Sequence, residues 1–175
     1  MEVRDAAPAD LPAIQSIYAH HVMKGLASFE EAPPALDEIR RRYDDVLAHG
    51  LPYLAACEGR EVLGYGYCTL YRTRSAYRFT LEDSIYVKEG LRRKGVGRAL
   101  LTELLQRCEA LGYRQIIAVI GDSANADSIQ LHAAMGFLRM GTLRSTGYKF
   151  GRWVDSVLMQ RPLGPGDGEK PRELS

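Results

Sequence analysis

At 175 residues with 46% hydrophobic side chains, the chain has the size and apolar content for one compact domain with its own core. A formal net charge of +1 argues against a general nucleic-acid binder, whose affinity rests on many cationic contacts. No window approaches the ~18 consecutive apolar residues of a membrane span, and the charged start MEVRDAAPADLPAI lacks the apolar centre of a secretion signal, so the expected location is the cytoplasm.

In chain order, EVRDA reads as a short strand, and a helix is predicted from Pro8, with Leu11, Ile14, Ile17, Tyr18 and Val22 at helical spacing. Its adjacent His20 and His21 point about 100° apart and have no acid four residues on, so partly exposed histidines are expected there and not a metal pair. The linker MKGLASFEEAPP leads to a second helix carrying Leu36, Ile39, Tyr43, Val46 and Leu47 and stopped by Gly50. Tyr53 to Tyr71 reads as a hairpin turning at Glu58-Gly59-Arg60, followed by a loop, RTRSAY, and a long strand, RFTLEDSIYV. Beyond a glycine-rich stretch, Leu100, Leu101, Leu104, Leu105, Cys108 and Leu111 mark one stripe of a helix ended by Gly112. QIIAVI is a buried strand, NADSIQLHAAM a short helix, and Gly136-Phe137 opens a strand pair running to Met159. The order predicts an α/β domain over residues 1–161, a mixed central β-sheet flanked by helices on both faces. The Pro/Gly-rich, charged segment 162–175 is predicted to be disordered. Cys57, Cys68 and Cys108 lie in apolar runs without ligand spacing, which predicts buried thiols and no metal site.

Charge is concentrated in one place. From Lys88 to Arg98 five Lys/Arg stand against a single acid, Glu89, which suits a small anion better than a polymer. Arg92-Arg93-Lys94-Gly95-Val96-Gly97 has an R-x-x-G-x-G spacing between a strand and a helix. Glycines let the backbone approach a ligand closely, and the first helical turn offers unpaired N–H groups to an anion. With Arg98, this would make a pyrophosphate cradle. No Lys-Ser/Thr pair follows the glycines, as a Walker A loop requires, and only two glycines fit a dinucleotide fingerprint. A plain turn on a solvated basic surface explains the spacing equally well.

The pattern EDSIYV-x4-RRKGVGRALL followed by NADSIQLHAAMGF resembles the Gcn5-related N-acetyltransferase (GNAT) superfamily over nearly the whole chain up to residue 161. ASFEEAPP, AYRFTLEDSIYV, AVIGDSANADSIQLHAAMGF and GYKFGRWVDSVLMQ resemble its phosphinothricin and methionine sulfoximine acetyltransferase branch. The resemblance implies an acetyl-CoA-dependent N-acetyltransferase acting directly on a small amino-acid-like substrate, without metal, as a homodimer. It places Arg92 to Arg98 on the cofactor's pyrophosphate and the backbone of Ile85, Tyr86 and Val87 along its pantetheine arm, beside a splayed strand.

Further roles follow from resemblance and residue chemistry together. Acyl transfer needs a neutral amine, so a base must be near. Glu82 stands at the position where the resembled branch has its glutamate; Asp83 is its nearer competitor, and a carboxylate merely paired to Arg78 or Arg74 is the alternative. Alternation along the strand puts Glu82 and Ser84 on one face, Asp83 and Ile85 on the other. Asn125 and Ser128 are helix-capping types to which the resemblance adds cofactor contact. His132, where many relatives have a tyrosine, would be the general acid to the thiolate or a histidine bonded to a backbone carbonyl. Arg74 and Tyr77, with Arg78 beside them, would meet the acceptor's carboxylate, with Phe29 and Glu30 as the opposite wall. Tyr148, Lys149, Arg152 and Trp153 would form a strand turn at a subunit contact or pocket rim. A peptide acceptor, or an acyl-CoA sensor without turnover, are the competing functions.

Overall fold

The structure, a computed structural model, describes residues 1–174. Its elements are β1 (Glu2–Asp5), α1 (Leu11–Lys24), α2 (Leu36–Ala48), β2 (Tyr53–Glu58), β3 (Glu61–Leu70), β4 (Thr80–Val87), α3 (Val96–Ala110), β5 (Gln115–Gly121), α4 (Ala126–Ala134), β6 (Leu138–Lys149) and β7 (Arg152–Pro162). A 3-10 turn at Pro8–Asp10 introduces α1, and another occupies Ser75–Tyr77 in the loop before β4. The strands form one sheet in the order β1-β2-β3-β4-β5-β7-β6. Only the central β4–β5 pair is parallel, so the sheet is mixed.

Strand alternation assigns the helices to faces. Tyr53, Tyr65, Tyr67 and Tyr86 stack with ring centroids 4.9 to 5.9 Å apart. Tyr18 of α1 and Tyr43 of α2 meet that ladder edge-on, at 5.0 and 5.1 Å. On the opposite face α3 buries Leu100, Leu101, Leu104, Leu105 and Cys108. Leu111, assigned by periodicity to the same stripe, is 41% exposed because the helix ends at Ala110 and Gly112 turns the chain with φ 92°. The three cysteines are free and buried, with the Cys68 and Cys108 sulfurs 3.5 Å apart.

Composition predicts disorder after residue 161, yet β7 runs to Pro162 and Leu163 is fully buried. Leu163 N–H donates to the Arg114 carbonyl, and the Arg114 guanidinium donates back to the Lys170 carbonyl at 3.1 Å. Leu174 packs against the core from its rim. Two leucines at the ends of a polar segment anchor it, a feature that averaging over composition hides.

Candidate active site

The site begins where two parallel strands stop pairing. β4 and β5 are in register from Thr80↔Gln115 to Asp83↔Ala118 and no further, although β4 continues to Val87 and β5 to Gly121. Ser84 to Val87 therefore turn toward β5 an edge that β5 does not pair, and apart from the Val87 carbonyl, which accepts from His21, its free backbone groups are open to a ligand. Between the strands lies a crevice of about 60 Å³ bordered by Asp83, Ser84, Gly121 and His132. It shares Ala27, Ile85, Asn125, Ser128 and His132 with a groove of about 490 Å³ running between β4, the basic loop and α4.

The loop reaches the groove through three left-handed residues, Gly90 (φ 79°), Arg93 (φ 60°) and Gly95 (φ 84°). Only a residue without Cβ adopts such an angle freely, which fixes Gly95 at the point of entry into α3. No side chain caps α3, so its first-turn N–H groups are free to bind an anion where Gly95 and Gly97 line the groove. Arg92, Arg93 and Arg98 line the same end. Asp127, in the first turn of α4, faces Arg92 at 3.7 Å and Arg93 at 3.5 Å, leaving the end net positive. This donor set fits a diphosphate. Lys94 and Val96 stand apart from it. Lys94 is exposed outside the groove, and Val96, 2% exposed, is part of the core beneath.

Asn125 caps α4, its Oδ1 accepting from Ser128 N–H at 3.3 Å while its Nδ2 donates to the Gly121 carbonyl. It thereby ties the helix to the end of β5. Tyr86 reaches the crevice mainly with its backbone, since its ring packs against Tyr18 on the other face of the sheet.

His132 is 4% exposed, and both its ring nitrogens are engaged. Nδ1 donates to the Ser128 carbonyl at 2.8 Å, and Nε2 lies 2.9 Å from Asp83 Oδ2. Burial pushes the imidazole pKa down, but the Asp83 carboxylate more than reverses this and leaves it raised. The bond to a backbone carbonyl is the structural role expected as one alternative, and it leaves no ring N–H facing the groove. Asp83 Oδ1 is buried and unpartnered at the crevice.

Glu82 lies on the opposite face from Asp83, as strand alternation requires. It makes no ion pair among the described residues: Arg78 pairs with Glu173 at 3.3 Å instead, and Arg74 is exposed. Burial, reinforced by Asp83, raises the Glu82 pKa above the ordinary carboxylate range.

The residues expected around an acceptor are scattered. Tyr77 stacks edge-on with Tyr71 at 5.9 Å, and no hydrogen bond, ion pair or ring contact among the described residues links it or Arg74 to Phe29 or Glu82. Phe29 sits elsewhere, over the ends of β5 and β6, close enough that a Cβ on Gly147 would fall 2.6 Å from its ring.

Sequence reasoning missed several groups. His21, expected as a partly exposed helix histidine, lines the groove and donates through Nε2 to the Val87 carbonyl at 2.9 Å; burial holds its pKa below the usual value. Ala27 borders both crevice and groove, and Lys149 is buried beneath the segment that carries Ala27. No group of three or more His, Cys, Asp or Glu among the described residues is arranged to hold a metal, and no helix among them is long and apolar enough to cross a membrane.

A model of the acetyltransferase (GNAT) family matches residues 14–137. The chain is 57% identical over 169 residues to a phosphinothricin N-acetyltransferase of Alcaligenes faecalis, covering 97% of this chain and 86% of that protein. Over 164 residues it is 40% identical to an L-methionine sulfoximine/L-methionine sulfone acetyltransferase of Pseudomonas aeruginosa, covering 93% and 95%. Its fold matches, with a TM-score of 0.95, the crystal structure of a GNAT superfamily phosphinothricin acetyltransferase from Sinorhizobium meliloti in complex with AcCoA, 48% identical, over 98% of this chain and 93% of that one.

Proposed function

This chain belongs to the acetyltransferase (GNAT) family and is an N-acetyltransferase, and on that premise we propose that it acetylates the α-amino group of a small amino acid of the phosphinothricin or methionine sulfoximine type, with both substrates bound together. The observation that carries this reading is the parting of β4 and β5 after Asp83 beside a glycine-entered helix N-terminus lined by arginines. The names of the two relatives support the substrate class.

Acetyl-CoA supplies an activated acetyl group. The chain's own residues supply the rest. Arg92, Arg93, Arg98 and the first turn of α3 hold the diphosphate. The open edge from Ile85 to Val87 offers N–H groups to the pantetheine amides and to the acyl oxygen, where negative charge develops during transfer. Asn125 and Ser128 border the same arm. An ammonium has no lone pair for attack, so Glu82, unpaired and raised in pKa, takes the amine's proton directly or through water. Direct attack of the amine on the thioester is the proposed route, in keeping with the absence of a cysteine from the crevice lining. His132 keeps α4 against β4 through Asp83. Phe29, beside Gly121 at the rim of the crevice, forms one wall for the acceptor, and Arg74 and Tyr77, exposed on the loop before β4 and not in contact with that wall, are free to bind its carboxylate.

Association into a homodimer is part of the proposal. Leu138, Met140, Leu143, Tyr148, Phe150 and Trp153 are each 48 to 69% exposed on β6, β7 and the turn between them, a large apolar surface for a lone monomer. Light scattering on the purified protein tests it.

The functional test is thiol release from acetyl-CoA with L-phosphinothricin, L-methionine sulfoximine, L-methionine sulfone, common amino acids, polyamines and an N-terminal peptide as acceptors. Turnover with the first three is expected. Turnover confined to the peptide would keep the acetyltransferase and discard the acceptor, and silence on all of them despite acetyl-CoA binding would favour a sensor.

A further inference from the structure

Between α1 and α2 the segment from Gly25 has no regular secondary structure of its own, yet it sits directly on the end of the sheet. A Cβ on Gly121 would collide with the Leu26 carbonyl, and one on Gly147 would fall 2.6 Å from the Phe29 ring. Ala27, at the middle of the segment, borders both the crevice and the groove. The segment is thus a roof over the opening between β4 and β5.

Its fastening is unusual. Lys149, the last residue of β6, is 2% exposed, and its Nζ donates to the Gly25 carbonyl at 3.0 Å and the Ser28 carbonyl at 2.7 Å. Among the described residues it makes no salt bridge, so a buried ammonium is held by two neutral carbonyls and the face of the Phe150 ring, whose centroid lies 4.9 Å from Nζ. A charge in that setting carries a desolvation penalty that an apolar residue of the same length would avoid. Burial lowers the lysine's pKa accordingly. Other ties reach the roof at one end or the other: Gly25 N–H to the His21 carbonyl at 3.0 Å on the near side, Tyr18 Oη to Ser28 Oγ at 2.9 Å and Arg42 to Glu30 at 2.6 Å on the far side. Lys149 alone grips both sides of Ala27, since Gly25 and Ser28 flank it.

We propose that Lys149 is a positioning residue: by seating Gly25 to Phe29 it fixes the roof under which the acceptor amine is presented, and so governs acceptor use more than cofactor binding, lining neither the crevice nor the groove itself. This rests on the acetyltransferase reading above. A methionine at 149 keeps the length and loses both donors; an arginine keeps charge and donors but not their reach.

The test compares the unmodified protein with Lys149→Met and Lys149→Arg in three measurements. Hydrogen exchange of backbone amides in residues 25–30 reads the roof without any activity, and is expected to speed up about tenfold in Lys149→Met. With L-methionine sulfoximine, kcat/KM for the acceptor is expected to fall about tenfold or more while the acetyl-CoA Kd, by calorimetry, stays within about twofold. Lys149→Arg is expected to show the same split, smaller in size, and serves alone if Lys149→Met does not fold. Equal changes in acceptor and acetyl-CoA constants would mark a merely structural lysine, and unchanged exchange or unchanged acceptor kinetics would equally overturn the role. If the unmodified protein acetylates no amine, the acetyltransferase reading falls and takes the role with it; an active protein whose variants ignore the acceptor discards the role alone.

Discussion

The groove wall at α3 and the roof over the crevice border one small opening, yet they are built at opposite ranges of sequence. The wall is made within a few residues, by left-handed backbone at Gly90, Arg93 and Gly95 that delivers the chain to a helix N-terminus. The roof and its surroundings are held by bonds across 66 residues from His21 to Val87 and across 121 and 124 from Lys149 to Ser28 and Gly25. A turn forms from local dihedral preferences, whereas a roof exists only after the sheet has brought distant strands together. The wall should therefore answer for the cofactor and the roof side for the acceptor, and variants can pull the two apart.

The largest effect is expected at Asp83, which both belongs to β4 and holds α4. Asp83→Ala strands a buried imidazole and should cost about 3 kcal/mol in chemical denaturation. The cost should depend on pH. Because the folded imidazole's pKa is raised, the pair's contribution is complete below the unfolded value near about 6.5 and fades as pH rises through the folded one. The gap between unmodified protein and variant should narrow toward alkaline pH; a constant gap would mean that packing, not charge, holds the helix.

Next in size is Glu82→Gln, with kcat falling about 100-fold and acetyl-CoA affinity unchanged. Since burial raises the Glu82 pKa and only the ionised form accepts a proton, kcat of the unmodified enzyme should climb as pH passes through that raised value. The variant should lack that limb. A near-normal rate in the variant would move the base to Asp83 or to water. The complementary break is in the wall: Gly95→Val forces a β-branched residue toward φ 84°, which costs about 1–2 kcal/mol and should weaken acetyl-CoA about tenfold in calorimetry. Equal weakening of acceptor and cofactor there would erase the distinction between wall and roof.

The same division of range explains what the residues disclosed by themselves. The α3 stripe, the R-x-x-G-x-G spacing and the Asn125 cap are local patterns, and the structure places Arg92, Arg93, Gly95, Gly97, Arg98, Asn125 and Ser128 around one groove. Spacing could not say which residues flanking the glycines face inward, and so Lys94 and Val96 fall outside. Alternation separated Glu82 from Asp83, but nothing local showed that Asp83 would meet His132, 49 positions away. The parting of β4 from β5 is a property of a register, and no residue at Asp83 or Ala118 announces it. Lys149 looked like one member of an aromatic turn because its carbonyl partners lie at the other end of the chain.

The smallest effect is expected from residues 169–174, which belong to neither wall. Their polar composition predicts disorder, but Arg114 donates to two of their carbonyls and Leu174 rests on the core rim. The Arg78–Glu173 pair is exposed, and such pairs contribute about 0–1 kcal/mol. Ending the chain after Gly168 keeps Leu163, the fully buried anchor, and should lower stability by under about 1 kcal/mol with kcat/KM for acceptor and cofactor within about twofold. Ending it after Pro162 removes Leu163 as well and should cost more, about 2 kcal/mol. If both truncations cost nothing, the composition describes the segment better than its two leucines do. If the shorter truncation instead impairs acceptor use, the loop before β4, which Arg78 joins to the tail, belongs with the roof after all.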